Sequence, residues 1–232
     1  MEEIFMLSLM LTIRKNSKFF SKFLIGFLSN TKDFSNVELL ILANKDDTWN
    51  QDLFRYHKLN VIYEDMKCGK NGRHYFYNEL AKHAKGDWLW HMCDDHYLSY
   101  YGYDEYLTNY IKEKQLDSAK IHMIVPRVEN SGSIAHILSR GYYEAVGRIG
   151  FHGNIDSYLN RVSDHIIDQN RIHHPDAPIL IDYTVDPTIM TPEHCKVELT
   201  NDYPVYDFGS VETTKAIQAD AYKIHEALKE GK

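Results

Sequence analysis

Asp94 and Asp95 stand side by side at the end of an apolar run of Trp88, Leu89, Trp90, His91, Met92 and Cys93, which follows Gly86-Asp87. The run reads as a buried strand, and two bare carboxylates are a poor way to end a strand for packing reasons. Adjacent like charges repel, and each resists desolvation. A divalent cation with a phosphorylated ligand behind it removes the conflict, because Mg²⁺-type ions are held by one or two carboxylates plus substrate phosphates. The competing explanation is a solvated turn, since aspartate favours turn and cap positions.

The elements needed to place that pair can be read from hydrophobic periodicity. Residues 4–11 form a continuous apolar run, as expected for a strand covered on both faces. Phe19, Phe20, Phe23, Leu24, Phe27 and Leu28 then recur with helical period, with Asn16 or Ser17 as N-cap. Residues 37–43 give a second buried strand, 60–63 a short third one, 67–72 a glycine-bearing loop and 75–84 a helix. Strand and helix alternating at this spacing predict a parallel sheet with right-handed crossovers. Ligands of such sheets bind beyond the carboxyl ends of the strands. Three polar clusters fall there: Thr12 with Arg14, Asn44 with Asp46 and Asp47, and Asp94 with Asp95.

The second half is less regular. Helices are expected over 103–114, 139–146, 155–167 and 211–229, and strands over 121–128, 133–138 and near 178–183. Ile155, Tyr158, Leu159, Val162 and Ile166 make one apolar stripe, with Asp156 in the first turn of that helix.

With 232 residues, 44% of them hydrophobic, the chain can bury a sizeable core without staples. A net charge of −7 argues against a nucleic-acid-binding surface. Three scattered cysteines in no metal-ligand spacing suggest a reducing compartment, hence a cytoplasmic protein. The apolar stretch near the N-terminus follows Glu2 and Glu3 rather than a basic region, and is far shorter than the roughly 20 residues of a membrane span. Neither a signal peptide nor an integral membrane segment is expected.

The series Gly69-Lys70-Asn71-Gly72, Asn78-Glu79-Leu80-Ala81, Ala84-Lys85-Gly86-Asp87, Cys93-Asp94-Asp95-His96 and Gly102-Tyr103-Asp104 resembles the GT-A glycosyltransferases in order and spacing. Thr12-Ile13-Arg14 is similar to the opening of that family's nucleotide site. The matches cover roughly residues 4–165. The resemblance implies an α/β fold: a single Rossmann-like GT-A domain with a mostly parallel central sheet flanked by helices and a less regular C-terminal part. Residues 1–168 would bind nucleotide-sugar and acceptor, and 169–232 would pack on them as a loop-rich segment and helix.

It implies further that Asp94 and Asp95 stand for the family's DXD element, with Mn²⁺ or Mg²⁺ on Asp95 and Asp94 on the metal or the ribose. Thr12 and Arg14 would border the nucleotide of a nucleotide-diphosphate sugar. Asn44 takes a strand-end position often held by Asp, leaving Asp46 and Asp47 as substitutes near base and ribose. Asp156 best matches the acid that takes the acceptor's proton in inverting transfer. The acceptor could be a glycan, a lipid or a protein.

Each assignment has a bland counterpart. Asp156 is also what the macrodipole favours at a helix N-terminus. Arg14 could be an exposed charge before a helix, and Lys70, placed to reach a diphosphate, could be a solvated loop lysine. His173, His174 and His194 are loop histidines, none assigned to a metal, and His96 is at most a neighbour of the acidic pair. Tyr97, Tyr100, Tyr101, Tyr103, Tyr106, Tyr142 and Tyr143 could form a sugar platform or simply pack. A nucleotidyltransferase of similar fold would carry a glycine-rich loop after the first strand, and Thr12-Ile13-Arg14-Lys15-Asn16 contains no glycine. A binding module that kept the fold and lost catalysis is the third reading.

Overall fold

The computed structural model describes residues 6–13, 17–45, 51–64, 72–93, 96–129, 135–151, 155–166, 168–182 and 210–232. In chain order the elements are β1 (Leu7–Ile13), α1 (Ser17–Asn30), β2 (Val37–Asn44), α2 (Gln51–Tyr56), β3 (Asn60–Glu64), α3 (Gly72–His83), β4 (Trp88–Met92) and β5 (His96–Leu98). They continue with α4 (Tyr103–Glu113), β6 (Met123–Ile124), β7 (Arg127–Glu129), β8 (Ile137–Ser139), α5 (Arg140–Val146), α6 (Ile155–Asp164), β9 (Ile172–His173), β10 (Pro178–Asp182) and α7 (Val211–Lys229).

Among the described residues, seven strands form the main sheet in the order β3-β2-β1-β4-β8-β6-β9. The block β3-β2-β1-β4 is parallel throughout, as the alternation of strands and helices requires. Beyond β4 the sheet becomes mixed, because β8 runs antiparallel to both β4 and β6. A second sheet of three strands has the order β5-β10-β7.

β1 and β4 are buried along nearly their whole length because both faces are covered. Alternate residues feed two cores. Leu7, Leu9 and Leu11 of β1 and Trp88, Trp90 and Met92 of β4 pack with α1, α4 and the small sheet. Met10, Leu40, Leu42 and Leu89 pack with α3, α5, α6 and α7. By the same alternation Thr12, Asn44 and His91 belong to the second face. Among the described residues, no helix is long and apolar enough to cross a membrane.

The amino-terminal end of the sheet is fastened by polar groups. Glu38 accepts hydrogen bonds from Ser8 Oγ, Lys85 N and Gly86 N, all on Oε1. Asp87 Oδ2 accepts from Met6 N at 3.3 Å. Gly86 lies so close to β1 that a Cβ there would meet Ser8 Oγ at 2.4 Å and Met6 O at 2.7 Å. Gly86-Asp87 is thus a staple between the starts of β1 and β4, far from the strand ends where a ligand would sit.

Asp104 is also structural. Its buried carboxylate accepts from Lys32 N at 3.0 Å and Asp33 N at 2.8 Å, tying α4 to the connection between α1 and β2.

Several expected elements have different bounds. The strand expected at 4–11 occupies Leu7–Ile13, carrying Thr12 inside β1. The stretch 121–128, read as one strand, is divided between β6 in the main sheet and β7 in the small one. The change of sheet leaves too few residues on either side for a repeating pattern to show. α2, β5 and β9, all short, lay below what periodicity resolves.

Candidate functional site

The carboxyl ends of β2, β1 and β4 lie side by side, with Thr12 paired to Leu42 and Leu11 paired to both Ile41 and Met92. Two of the expected nucleotide residues are described there. Thr12 is the penultimate residue of β1, and the buried Asn44 closes β2. Arg14, Asp46, Asp47, Lys70, Asp94 and Asp95 lie outside the described residues, as does His194. Asp94 and Asp95 follow in sequence directly after β4 and Cys93. The residues on either side of them meet, His96 N donating to Cys93 O at 3.1 Å.

Tyr77 of α3 joins the ends of β1 and β4. Its buried hydroxyl donates to Met92 O at 2.5 Å and accepts from Thr12 Oγ1 at 3.4 Å. Its ring meets His91 edge to face, with centroids 5.6 Å apart. Neither residue is a candidate on sequence grounds, although a histidine inside an otherwise apolar strand is a signal that could have been used.

His91 connects the sheet to Asp156. Its Nε2 lies 2.6 Å from Asp156 Oδ1, the histidine being buried and the aspartate 24% exposed at its side chain. On its other nitrogen, Nδ1 is 3.3 Å from His136 O. Burial alone would raise the Asp156 pKa; the hydrogen bond and charge of His91, with His96 and His136 beyond, outweigh it and hold this carboxyl below its ordinary value. The carboxylate is therefore the form present near neutral pH. His136 stacks on His91 with centroids 5.9 Å apart, and its Nε2 lies 3.0 Å from Asn160 Oδ1. Burial, reinforced by His91, pushes the His136 imidazole down to about 3, so it is neutral.

The approach to α6 is held from two sides. Asn78 of α3 accepts from Ile149 N at 2.7 Å and donates to Gly150 O at 2.9 Å. Arg148 forms a two-pronged pair with the buried Asp220 of α7, Nη2 to Oδ1 at 2.6 Å and Nε to Oδ2 at 3.0 Å. Tyr158 of α6 donates to the same carboxylate at 2.5 Å. The C-terminal helix thereby fixes the segment that presents Asp156.

Other candidates lie elsewhere. His173 pairs with His122 at 3.0 Å on the β6-β9 edge, away from the strand ends. The tyrosines do not form one platform. Tyr103 and Tyr142 are core residues, Tyr103 Oη lying 2.8 Å from Thr31 Oγ1, whereas Tyr100 and Tyr101 are exposed. Among the described residues, no group of three or more His, Cys, Asp or Glu side chains could hold a metal ion.

Solved structures share this architecture. S. aureus TarS 1–349 in complex with UDP superposes with a TM-score of 0.63 at 14% identity, covering 96% of this chain and 70% of that one. The mannosyltransferase PcManGT from Pyrobaculum calidifontis, in complex with GDP-Man and Mn²⁺, gives 0.59 at 11% identity, covering 97% and 76%. Glucosyl-3-phosphoglycerate synthase from Mycobacterium tuberculosis, with Mn²⁺, UDP and glucosyl-3-phosphoglycerate, gives 0.54 at 8%, covering 73% and 68%. The fold is the GT-A fold. The GT-A resemblance and the mostly parallel sheet expected from sequence are thus borne out. The chain spans only 36% of the length of another TarS structure that it matches. No protein-family model matches the sequence, and no curated protein matches it.

Proposed function

We propose that this chain is a metal-dependent glycosyltransferase that moves a sugar from a nucleotide-diphosphate donor to an acceptor hydroxyl. The observation that carries the proposal is positional. On a GT-A fold, β4, which Cys93-Asp94-Asp95 follow in sequence, bears His91, which holds Asp156 at 2.6 Å. A carboxylate fit for a donor site and one fit for proton transfer are therefore served by one strand.

The donor set suits the ion. Two consecutive carboxylates offer hard oxygen ligands, which Mg²⁺ and Mn²⁺ take, and Asp94 and Asp95 would hold it. Once bound, such a cation neutralises charge on a leaving diphosphate. Thr12, Arg14, Asn44 and Asp46 would border the nucleotide and Lys70 the diphosphate, which is a positioning role. Asp156 would act as general base. As the acceptor oxygen attacks the anomeric carbon, the bond from that carbon to the diphosphate oxygen breaks. Its electron pair leaves with the diphosphate, and the hydroxyl proton passes to the Asp156 carboxylate. UDP and GDP donors are the first to try, since UDP-GlcNAc, UDP and GDP-Man are the ligands of TarS and PcManGT.

Incubation with UDP-sugars and GDP-sugars in the presence of Mn²⁺ tests the reading through slow release of nucleoside diphosphate, with water standing in for the acceptor. Release from at least one donor is expected, and a chelator should stop it. A chain that leaves a broad panel of such donors intact, with and without candidate hydroxyl acceptors, would count as a binder and not a catalyst.

A further inference from the structure

Two stacked histidines grip two side chains of α6 that lie one turn apart. His91 reaches Asp156 Oδ1 at 2.6 Å, and His136 reaches Asn160 Oδ1 at 3.0 Å. Residues four apart share one helix face, so both contacts act on the same side of α6. His91 is 1% exposed and His136 0%. A buried imidazole in a strand otherwise filled by Trp88, Leu89, Trp90 and Met92 costs free energy unless its nitrogens are satisfied. Both neighbours of His91 are acceptors, a carboxylate and the His136 carbonyl. Packing alone gives no reason for a histidine here, since leucine would fill the site without that penalty.

We infer that His91 is a positioning residue. It fixes the Asp156 carboxylate in place relative to β4, which Asp94 and Asp95 follow in sequence. This rests on the reading of Asp156 as the base. His91 precedes Asp94 by three residues, so one strand would set the distance between the proton acceptor and the diphosphate end of the site. Among the described residues, the titratable groups that act electrostatically on Asp156 include His91 from β4, His96 from β5 and His136 from the segment before β8. The groups that act on His136 include His91, Asp156, Asn160 and His174.

Sugar transfer to water from a UDP-sugar or GDP-sugar that the wild type turns over, read as nucleoside diphosphate release by His91→Leu, His91→Gln and Asp156→Asn and measured as kcat, donor KM and pH profile, tests the inference. His91→Leu should lower kcat by on the order of 10- to 100-fold, as misplacement of a catalytic group does, with donor KM little changed. Its acid limb should move to higher pH, because the partner that holds the Asp156 pKa down is gone. His91→Gln, whose amide can still donate to Asp156, should fall between Leu and the wild type. If Asp156→Asn abolishes transfer while His91→Leu keeps the wild-type kcat and pH limb, the histidine has no positioning role and the base reading survives. If Asp156→Asn transfers at the wild-type rate, the base reading fails and this inference with it.

Should His91→Leu not fold, the ring nitrogens of His91 can be observed by ¹⁵N NMR in the wild type. A downfield Nε2 proton that disappears in Asp156→Ala is expected. A His91 ring insensitive to that substitution would overturn the inference.

Discussion

Asp156→Asn is expected to reduce kcat for sugar transfer by about 10²–10⁴-fold, the usual worth of a general base, with little change in donor KM. The amide keeps an oxygen that can still accept from His91, so the 2.6 Å contact can persist while basicity is lost. The pH dependence follows from the direction of the shift. Asp156 is held below the ordinary aspartate value, so its base form survives acidification further than that of a free carboxyl. The acid limb of the wild-type profile should therefore lie lower than an ordinary aspartate would set it. The same shift has a consequence for stability. A carboxyl whose pKa is depressed on folding contributes stability that is present above its unfolded value, and this is lost as pH falls through the folded one. Steady-state kinetics across pH, with a melting curve for each variant, checks both points.

Asp220→Ala is expected to be the most destabilising of the substitutions considered, at about 3–5 kcal/mol, because it breaks a buried pair and leaves its partner uncompensated. The Asp220 side chain is fully buried and receives Arg148 on both oxygens as well as the Tyr158 hydroxyl. Removing it strands a guanidinium that is only 25% exposed at its side chain and a phenol whose hydroxyl needs an acceptor. Since α7 holds the segment leading to α6 through this carboxylate, Asp156 should lose its fixed position as well. Urea denaturation measures the stability term, and kcat below the denaturation midpoint measures the second. Asp220→Asn, which retains an acceptor oxygen, should cost less on both counts.

How far the sequence alone revealed this depends on what each residue was reporting. The parallel block was legible because β1, β2 and β4 are long enough, and buried on both faces, to appear as mostly apolar runs despite Ser8, Thr12, Glu38, Asn44 and His91. β5, β6, β7 and β9 span two or three residues each, too few to repeat any pattern. The segment 121–128 was misleading for a related reason, since it feeds two sheets in succession.

Motif reading mixed two kinds of residue. Gly86-Asp87, Asn78 and Asp104 belong to the GT-A resemblance, yet here they staple β1 to β4, the α6 approach to α3, and α4 to the loop after α1. Tyr77 and His91 went unnoticed because an aromatic or a histidine in an apolar run is read as filling. Their roles depend on hydroxyl and imidazole contacts with residues 15 and 65 positions away. Asp156 was placed by resemblance alone; its link to His91 gives a physical reason to consider it that no spacing contained.

The most direct test of a cation held between Asp94, Asp95 and a diphosphate is thermal unfolding with UDP, GDP or CDP, each with and without Mn²⁺. A nucleotide at about a hundredfold excess over its dissociation constant stabilises by roughly 2.7 kcal/mol, well within reach of a melting curve. At least one nucleotide should raise the wild-type midpoint only when Mn²⁺ is present, and Asp95→Ala should lose that increment while its ligand-free midpoint stays put. Equal stabilisation with and without the ion, or an increment that Asp95→Ala retains, would contradict it.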